Sequence, residues 1–313
     1  MTNQTLGARL RPYSLIIALG LIIIWGANFT VQKYIFKSIS PNGILLVRYG
    51  LVMPLCSVAL LFYVYGTNWP RLSKPDTWNL LKLGIVAHLF HIGLVTHGMN
   101  LSTPFSSSVI IACGPIFTLV LLRWMTSEKM QAASLMGVLI AMIGVLIFMS
   151  EKLFSASWSA SGGDLILLLA AACFSYYTVA SKPLIERLGS ITMFTYTTLL
   201  ACPSVVIFAT LGGGWQVEWA QVPVQAWLGL LYGVVLGAFC GWLIWGWVNS
   251  VRGVARSAPL SYLMALVAGV ISWLSGGEVF SAAKVLGAII ALAGVAYAQF
   301  AAHDSRLQTA AGE

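Results

Sequence analysis

Residues 128–145 have the sequence EKMQAASLMGVLIAMIGV, and residues 278–295 have the sequence EVFSAAKVLGAIIALAGV. The two stretches lie 150 positions apart, close to half of the 313-residue chain, and eight positions are identical. The identical pairs are Glu128/Glu278, Ala132/Ala282, Ala133/Ala283, Gly137/Gly287, Ile140/Ile290, Ala141/Ala291, Gly144/Gly294 and Val145/Val295. We infer that the chain contains two copies of one unit, residues 1–150 and residues 151–313.

The composition places both copies in a membrane. Hydrophobic residues make up 59% of the chain, charged residues 8%, and the mean hydropathy is +0.88. A soluble domain carries roughly 25% charged residues. The sequence therefore predicts an all-α membrane protein, because helices satisfy all their backbone hydrogen bonds within the bilayer.

Ten apolar runs are long enough to be transmembrane helices, which need about 20 apolar residues each. Their approximate limits are 13–33, 42–65, 79–100, 104–124, 131–149, 164–185, 191–212, 225–250, 255–275 and 283–302. Ten runs give five per copy. Because five is odd, the second copy must cross the membrane in the opposite direction. Inverted repeats of this kind are typical of transporters and place the substrate near the membrane midplane, where the repeats meet.

The distribution of Lys and Arg predicts the orientation. Twelve of these residues fall in segments on the side of the N-terminus, and four (Lys33, Lys37, Lys152 and Lys284) fall on the other side. Positive residues are enriched on the cytoplasmic side of membrane proteins. We therefore expect both termini in the cytoplasm and a multi-pass protein of the bacterial inner membrane.

Other function classes find little support. The net charge of +8 is scattered over short loops, where it sets orientation and does not indicate a nucleic-acid partner. The five cysteines have no paired spacing, so we expect no metal, cofactor or disulfide. No hydrolase, metalloprotease or P-loop motif is present, and we expect no enzymatic activity. The expected partners are a small-molecule substrate and the lipid bilayer, and a monomer is compatible with the sequence.

Helix 1 carries Trp25 and Asn28 on one face, because they are three positions apart. An amide inside the bilayer is costly unless it is paired or faces water. Asn28 could bind substrate or a neighbouring helix. Tyr177, at the equivalent position of the second repeat, favours the first interpretation.

Helix 3 carries His88 and His91 on a shared face, with His97 pointing away. Imidazoles inside a membrane are candidate proton carriers or substrate contacts. The alternative is a neutral histidine that is hydrogen-bonded to a neighbouring helix, which we expect for His97.

Helix 8 has glycines at every fourth position from Gly229 to Gly241, so another helix can approach closely. Trp242, Trp245 and Asn249 share one face of this helix. We interpret them as the wall of a cavity for apolar or aromatic substrates, the alternative being an interfacial belt of tryptophans. In helix 9, Tyr262 is a further candidate contact, although the serines beside it are more often packing residues.

Among charged residues, Arg48 lies inside the second span. It could hold a carboxylate, but we expect a structural arginine whose head reaches the interface. Glu128 and Glu278 open helices 5 and 10, where a carboxylate is favoured by the helix dipole. The absence of a mid-span Asp or Glu argues for neutral or zwitterionic substrates over cations.

Several of these residues form a recognisable pattern. Trp25-Gly26-Ala27-Asn28-Phe29 resembles the W-G-x-N-F signature of the EamA branch of the drug/metabolite transporter superfamily. Arg48, Pro115, Glu128 and the second-half Tyr177-Thr178-Val179 with Glu278 also fit. The chain departs from the pattern at Phe174, usually Trp, and at Ala265, which occupies the repeat position of Pro115. Within the superfamily it most resembles YddG-type amino-acid exporters.

The resemblance implies a ten-helix inverted-repeat fold with a central cavity. It also implies efflux of amino acids, aromatic ones among them, and of related small compounds from a bacterial cytoplasm. Three alternatives stay open: efflux of drugs or toxic compounds, transport of nucleotide-linked metabolites, and a membrane receptor or scaffold without a transport cycle.

Overall fold

The computed structural model describes residues 10–126, 132–148, 150, 162–274 and 281–310, and most of these residues are helical. Glu128, Glu278 and the predicted repeat boundary after residue 150 lie outside or beside these residues, so the roles expected of them stay predictions. The helices, numbered in chain order, are α1 Ser14–Ile35, α2 Pro41–Tyr65, α3 Lys74–Leu101, α4 Pro104–Ala112 continued by Gly114–Met125, α5 Ala132–Phe148, α6 Gly162–Leu188, α7 Ser190–Leu211, α8 Val224–Arg252, α9 Val254–Leu274 and α10 Ala282–Ala310.

The prediction of an all-α membrane protein is confirmed. Each predicted apolar run falls on one of these helices. Within the described ranges, seven helices are long and apolar enough to cross a membrane, namely α1, α2, α3, α6, α7, α8 and α9. The apolar segments of α4, α5 and α10 are shorter, at Ile110–Met125, Leu135–Ile147 and Val285–Ala298. The total of ten spans therefore stays a prediction.

Local sequence explains where several helices begin and end. Ser40 caps α2 by accepting a 3.1 Å hydrogen bond from the backbone N–H of Gly43, and Ser73 caps α3 in the same way through Asp76. Gly189 and Gly253 have φ of 82° and 86°, a conformation that glycine adopts at little cost. These two residues alone separate α6 from α7 and α8 from α9, so each pair reverses direction within one residue.

Helices α5 and α10 are packed antiparallel and in reciprocal register. A Cβ atom at Gly144 would collide with the backbone of Ala291, and a Cβ atom at Gly294 would collide with the backbone of Ala141. At an offset of 150 residues, Gly144 is equivalent to Gly294 and Ala141 to Ala291. The contact is therefore isologous, which is the signature of a two-fold axis between the two helices.

The bundle has two ends, named here after a residue at each. The Lys33 end contains the last turns of α1 and α3 and the first turns of α2 and α8. The Arg187 end contains the last turn of α6 and the first turn of α3, where Arg187 forms an ion pair with Asp76. The larger apolar core joins α2, α3, α6, α7 and α8, and a second core joins α1, α4, α5, α8, α9 and α10.

Candidate functional site

A cavity of about 670 Å³, counting the part that is open to solvent, lies between seven helices. On most of these helices the lining residues lie between the middle of the helix and the Lys33 end. The lining residues are Trp25, Asn28, Phe29, Gln32, Arg48, His91, Ile92, Val95, Thr96, Met99, Ile111, Phe174, Gly233, Gly237, Ala238, Trp242 and Met264.

Three of the helices that line the cavity contain a π-helical stretch beside it. These stretches are Arg48–Val52 in α2, Ile85–Ile92 in α3 and Tyr232–Cys240 in α8. π-Helical turns are rare in proteins overall, but those that occur are often found at functional sites. They disturb the regular hydrogen-bond ladder and redirect side chains. Arg48, His91 and Gly237 all lie in such stretches and reach the cavity.

Aromatic rings form the part of the cavity near the middle of the bundle. The ring of Trp25 lies 5.9 Å from that of Phe174, and Phe174 lies 5.5 Å from Trp242. Behind them, Trp245 lies 5.6 Å from Trp25 and donates a 3.2 Å hydrogen bond to the hydroxyl of Thr178. These rings offer both apolar surface and π faces to a bound molecule.

Amides occupy the neighbouring turns of α1. Asn28 donates to the side-chain carbonyl of Gln32 across one turn, at 3.4 Å. On α8, a Cβ atom at Gly233 would lie 2.9 Å from the side-chain oxygen of Asn28. The glycine spacing of α8 therefore gives Asn28 the room it occupies, and two amide groups face the cavity together.

Arg48 is the cation of this cavity. Its side chain is 8% exposed, and its Nε atom is buried without a hydrogen-bond partner. Within the described residues it pairs with no carboxylate, and its guanidinium carbon lies 5.3 Å from the centre of the Tyr49 ring. Our expectation of an arginine that reaches the interface is therefore wrong, because Arg48 is buried inside the bundle and lines the cavity.

The two buried histidines of α3 have different surroundings. His91 lines the cavity, stacks on Phe174 at 4.8 Å and bonds the carbonyl oxygen of Ala170 through Nδ1 at 2.8 Å. Because a carbonyl only accepts, Nδ1 carries the proton and Nε2 can accept a hydrogen bond in the neutral ring.

His88 lies behind Trp242, outside the cavity. Its Nδ1 is 3.0 Å from the hydroxyl of Tyr49, and its Nε2 is 3.3 Å from that of Thr198. Thr198 in turn donates to the carbonyl oxygen of Phe194. A single arrangement satisfies all these groups, in which Tyr49 donates to Nδ1 and Nε2 donates to Thr198. Both nitrogens of a neutral His88 are thus occupied by protein groups.

Of the nine candidate contacts, the structure brings Trp25, Asn28, His91 and Trp242 together in the cavity. The other five, His88, Tyr177, Trp245, Asn249 and Tyr262, are buried and do not line it. Tyr177 lies against Trp242, with ring centres 4.9 Å apart, and donates to the sulfur of Met193. Asn249 Oδ1 and the Tyr262 hydroxyl are buried without a hydrogen-bond partner.

Several lining residues were missed by sequence reasoning. Gln32 lies one turn beyond Asn28 on the same face, so the helical spacing that selected Asn28 could have found it. Phe174 was noted only as the repeat equivalent of Trp25, although that equivalence itself indicates a shared position. Thr96 gave no signal, since its hydroxyl donates to the carbonyl of Ile92 within its own helix.

Metal chemistry has no visible support. Among the described residues, no group of three His, Cys, Asp or Glu side chains could hold a metal ion. The five cysteines are unpaired.

Residues 12–150 and residues 161–298 each match the sequence model of the EamA-like transporter family. The structure also superposes on a solved crystal structure with a TM-score of 0.73, over 94% of this chain and 98% of the other. The identity in that comparison is 15%, so it shows a shared fold alone.

Curated relatives cover nearly the whole chain at low identity. The uncharacterized transporter YyaM of Bacillus subtilis is 25% identical, over 90% of this chain and 91% of its own. A probable amino-acid metabolite efflux pump of Salmonella typhimurium is 24% identical, over 89% and 92%. A probable terminal-alkyne amino-acid exporter of Streptantibioticus cattleyicolor is 26% identical, over 61% and 62%.

Proposed function

Because the chain belongs to the EamA-like transporter family, we propose that it exports amino acids, aromatic and other neutral ones among them, together with related small metabolites. Membership makes it a multi-pass membrane transporter and not an enzyme. The names of the efflux pump and of the exporter support amino acids as the cargo.

The observation that carries this proposal is the composition of the cavity. Arg48 is a buried cation without a carboxylate partner in the described chain, and it shares the cavity with the rings of Trp25, Phe174 and Trp242. A guanidinium matches a carboxylate through two parallel hydrogen bonds. Aromatic surface matches an apolar side chain. An amino acid supplies both groups at a separation of a few bonds.

The amino group of the substrate needs partners as well. The oxygens of Asn28 and Gln32 can accept its hydrogen bonds, and the ring faces of the tryptophans can attract its positive charge. The cavity lining contains no Asp or Glu. A substrate that carries only a positive charge would therefore meet Arg48 without a compensating anion, so zwitterions fit better than organic cations.

The same lining bears on the nucleotide-linked alternative. A phosphorylated metabolite carries two or more negative charges, and we expect several cations around it. Arg48 is the single Lys or Arg among the lining residues. The observation favours a substrate with one carboxylate.

For the membrane arrangement we propose ten spans in two inverted repeats, with both termini in the cytoplasm of a bacterium. The reciprocal packing of α5 and α10 supports the inverted relationship. The positive-inside rule supports the orientation, because the described cations are concentrated at the Arg187 end. Of the described residues, that end holds Arg11, Arg71, Lys74, Lys82, Arg123, Lys182, Arg187, Arg252, Arg256 and Arg306, against Lys33, Lys37 and Lys284 at the other end. In this orientation the cavity belongs to an outward-facing state of an alternating-access cycle.

Uptake of labelled amino acids into proteoliposomes tests the cargo. Aromatic, aliphatic and polar amino acids are compared, each with and without an imposed pH gradient. We expect saturable uptake of aromatic and large neutral amino acids. A response to the gradient would direct attention to His91 in the cavity, and no response would indicate facilitated diffusion. If folded protein takes up none of these amino acids, the proposed cargo is wrong.

A further inference from the structure

The repeat allows the cavity to be compared with its own symmetry equivalent. Two offsets apply: 149 residues relate α1 to α6, and 150 residues relate α3 to α8. A contact between α3 and α6 tests both offsets. His91 bonds Ala170, and their equivalents Gly241 and Leu21 are also neighbours, since a Cβ atom at Gly241 would lie 3.2 Å from Leu21 Cδ1.

At the centre of the cavity, the repeat relates lining residues to other lining residues. Trp25 corresponds to Phe174, and Ile92 corresponds to Trp242. All four residues line the cavity. Residues that are exchanged by a two-fold axis and still share one site must lie close to that axis, so these four mark the level at which the two repeats meet.

The equivalents of the remaining lining residues do not line the cavity. Six polar members of this second set are His88 for Ala238, Tyr177 for Asn28, Thr178 for Phe29, Ser181 for Gln32, Thr197 for Arg48 and Asn249 for Met99. Thr197 follows from an offset of 149 residues in α2 and α7, which also pairs Pro54 with Pro203. All six are buried, and none of them is among the residues that line the cavity.

A set of buried polar side chains is costly in a membrane protein unless each is satisfied. Asn249 is 4% exposed, and its Oδ1 atom has no hydrogen-bond partner in the structure. A buried amide oxygen without a protein partner is available to a water molecule or to a polar group of a substrate. Asn249 is the equivalent of Met99, which lines the open cavity.

We propose that these six residues form the second half of the substrate path, which is closed in this structure and opens toward the Arg187 end. The inference rests on the proposed transport cycle, and it assigns His88, Tyr177 and Asn249 a role that the open cavity does not give them. In the second half the substrate meets hydroxyl, amide and imidazole groups, and Thr197 stands where the first half has Arg48. The second half therefore takes a net-neutral solute through hydrogen bonds alone.

One contact closes the Arg187 end. Asp76 of α3 accepts hydrogen bonds from both terminal nitrogens of Arg187 of α6. The repeat equivalents of these residues at the Lys33 end are Ala226 and Ser38, which cannot form an ion pair. This ion pair therefore has no counterpart at the equivalent position of the Lys33 end, and Asp76→Asn removes it.

Labelling of single cysteines in a cysteine-free background tests the proposal. Ser181→Cys and Asn249→Cys probe the second half, and Val95→Cys probes the open cavity, because Val95 lines the cavity and is partly exposed. Ser57→Cys is the matched control, because Ser57 is equally buried, has an unpartnered hydroxyl, and is neither a lining residue nor the equivalent of one. A membrane-impermeant maleimide is added to either side of oriented vesicles, with and without Asp76→Asn.

We expect Val95→Cys to react from the side of the Lys33 end, and Ser181→Cys and Asn249→Cys to react from the opposite side. Asp76→Asn should raise the rates of the latter two by about two- to fivefold and lower that of Val95→Cys, because Arg187 is largely exposed and an exposed ion pair is weak. Ser57→Cys should stay unreactive. The proposal is overturned if Ser181→Cys and Asn249→Cys react no faster than Ser57→Cys in either background, or react from the Lys33 side.

No substrate is used in this experiment, so it is independent of the proposed cargo. If the cysteines are labelled as expected but no amino acid is taken up, the proposed second half of the path is supported and the proposed cargo is wrong. Amino-acid uptake without such labelling would support the proposed cargo and overturn the proposed second half of the path. Ser181→Cys changes one atom, and it keeps the test decisive if Asn249→Cys does not fold.

Discussion

The indole N–H of Trp25 in α1 donates a 2.6 Å hydrogen bond to the carbonyl oxygen of Gly237 in α8. The bond joins the first repeat to the second at the cavity wall. Gly237 lies in the π-helical stretch of α8, where the backbone ladder is disturbed, so a side chain from another helix satisfies its carbonyl.

Trp25→Phe should keep the aromatic wall but lose this hydrogen bond. A neutral hydrogen bond contributes about 1 kcal/mol, so we expect a modestly lower melting temperature in detergent with transport retained. Trp124→Phe is the control, because Trp124 is 79% exposed on the outer surface of the bundle. Equal melting temperatures for Trp25→Phe and the control would contradict this role of the hydrogen bond.

The reciprocal packing of α5 and α10 predicts equal sensitivity at equivalent glycines. Gly144→Ala and Gly294→Ala each place a methyl group against the backbone of the other helix, and overpacking of this kind costs about 1–3 kcal/mol. Gly20→Ala is the control, because no atom lies within 4 Å of a Cβ there. Thermal unfolding should show two similar losses and none for Gly20→Ala. A loss at only one of the two glycines would argue against the two-fold relationship.

Lys33 closes the last turn of α3. Its ammonium group donates to the carbonyl oxygens of Met99, Asn100 and Ser102 at 3.3, 3.0 and 2.7 Å. Lys33→Met leaves these carbonyls without that partner and removes a charge that is favourable at a helix C-terminus, with an expected loss of about 1–3 kcal/mol. Lys37→Met removes a charge from an exposed position at the same end and should have a much smaller effect on unfolding.

Trp242 is predicted to set the preference for aromatic substrates. Its ring contacts Phe174, Tyr177, His88 and His91 and faces the cavity. An aromatic pair contributes about 0.5–1.5 kcal/mol, so Trp242→Ala should raise the KM for phenylalanine by about 3- to 10-fold relative to that for alanine. Trp124→Ala should leave the ratio of the two KM values unchanged. A proportional rise for both substrates in Trp242→Ala would indicate a general structural defect.

The sequence was sufficient to predict the helical membrane class and the positions of the helices, because apolar length and turn residues depend on local chemistry. Helical spacing also selected Trp25, Asn28, His91 and Trp242, which meet in the cavity. Helical spacing predicts which residues share a face of a helix, but it does not predict which part of that face, along the helix axis, lines the cavity. Trp245 and Asn249 share the face of Trp242 and lie nearer the closed end, so they are buried.

Arg48 shows a different limit. The assignment of residues to helix faces from their spacing assumes 100° per residue. The π-helical stretch that begins at Arg48 departs from this value. The residues around position 48 do not predict a π-helical turn. The direction of this side chain follows from packing among α2, α3 and α8, which a single sequence does not reveal.

The most direct test of the proposed site measures whether Arg48 recognises a carboxylate. Inhibition of labelled phenylalanine uptake by unlabelled phenylalanine is compared with inhibition by phenethylamine, which lacks the carboxylate, in wild type, Arg48→Gln and the exposed-arginine control Arg123→Gln. Charge-assisted hydrogen bonds contribute about 1.5–3 kcal/mol, so wild type and Arg123→Gln should prefer phenylalanine by on the order of 10- to 100-fold. In Arg48→Gln the preference should vanish. An undiminished preference in folded Arg48→Gln would contradict the assignment of Arg48 as the carboxylate-binding residue.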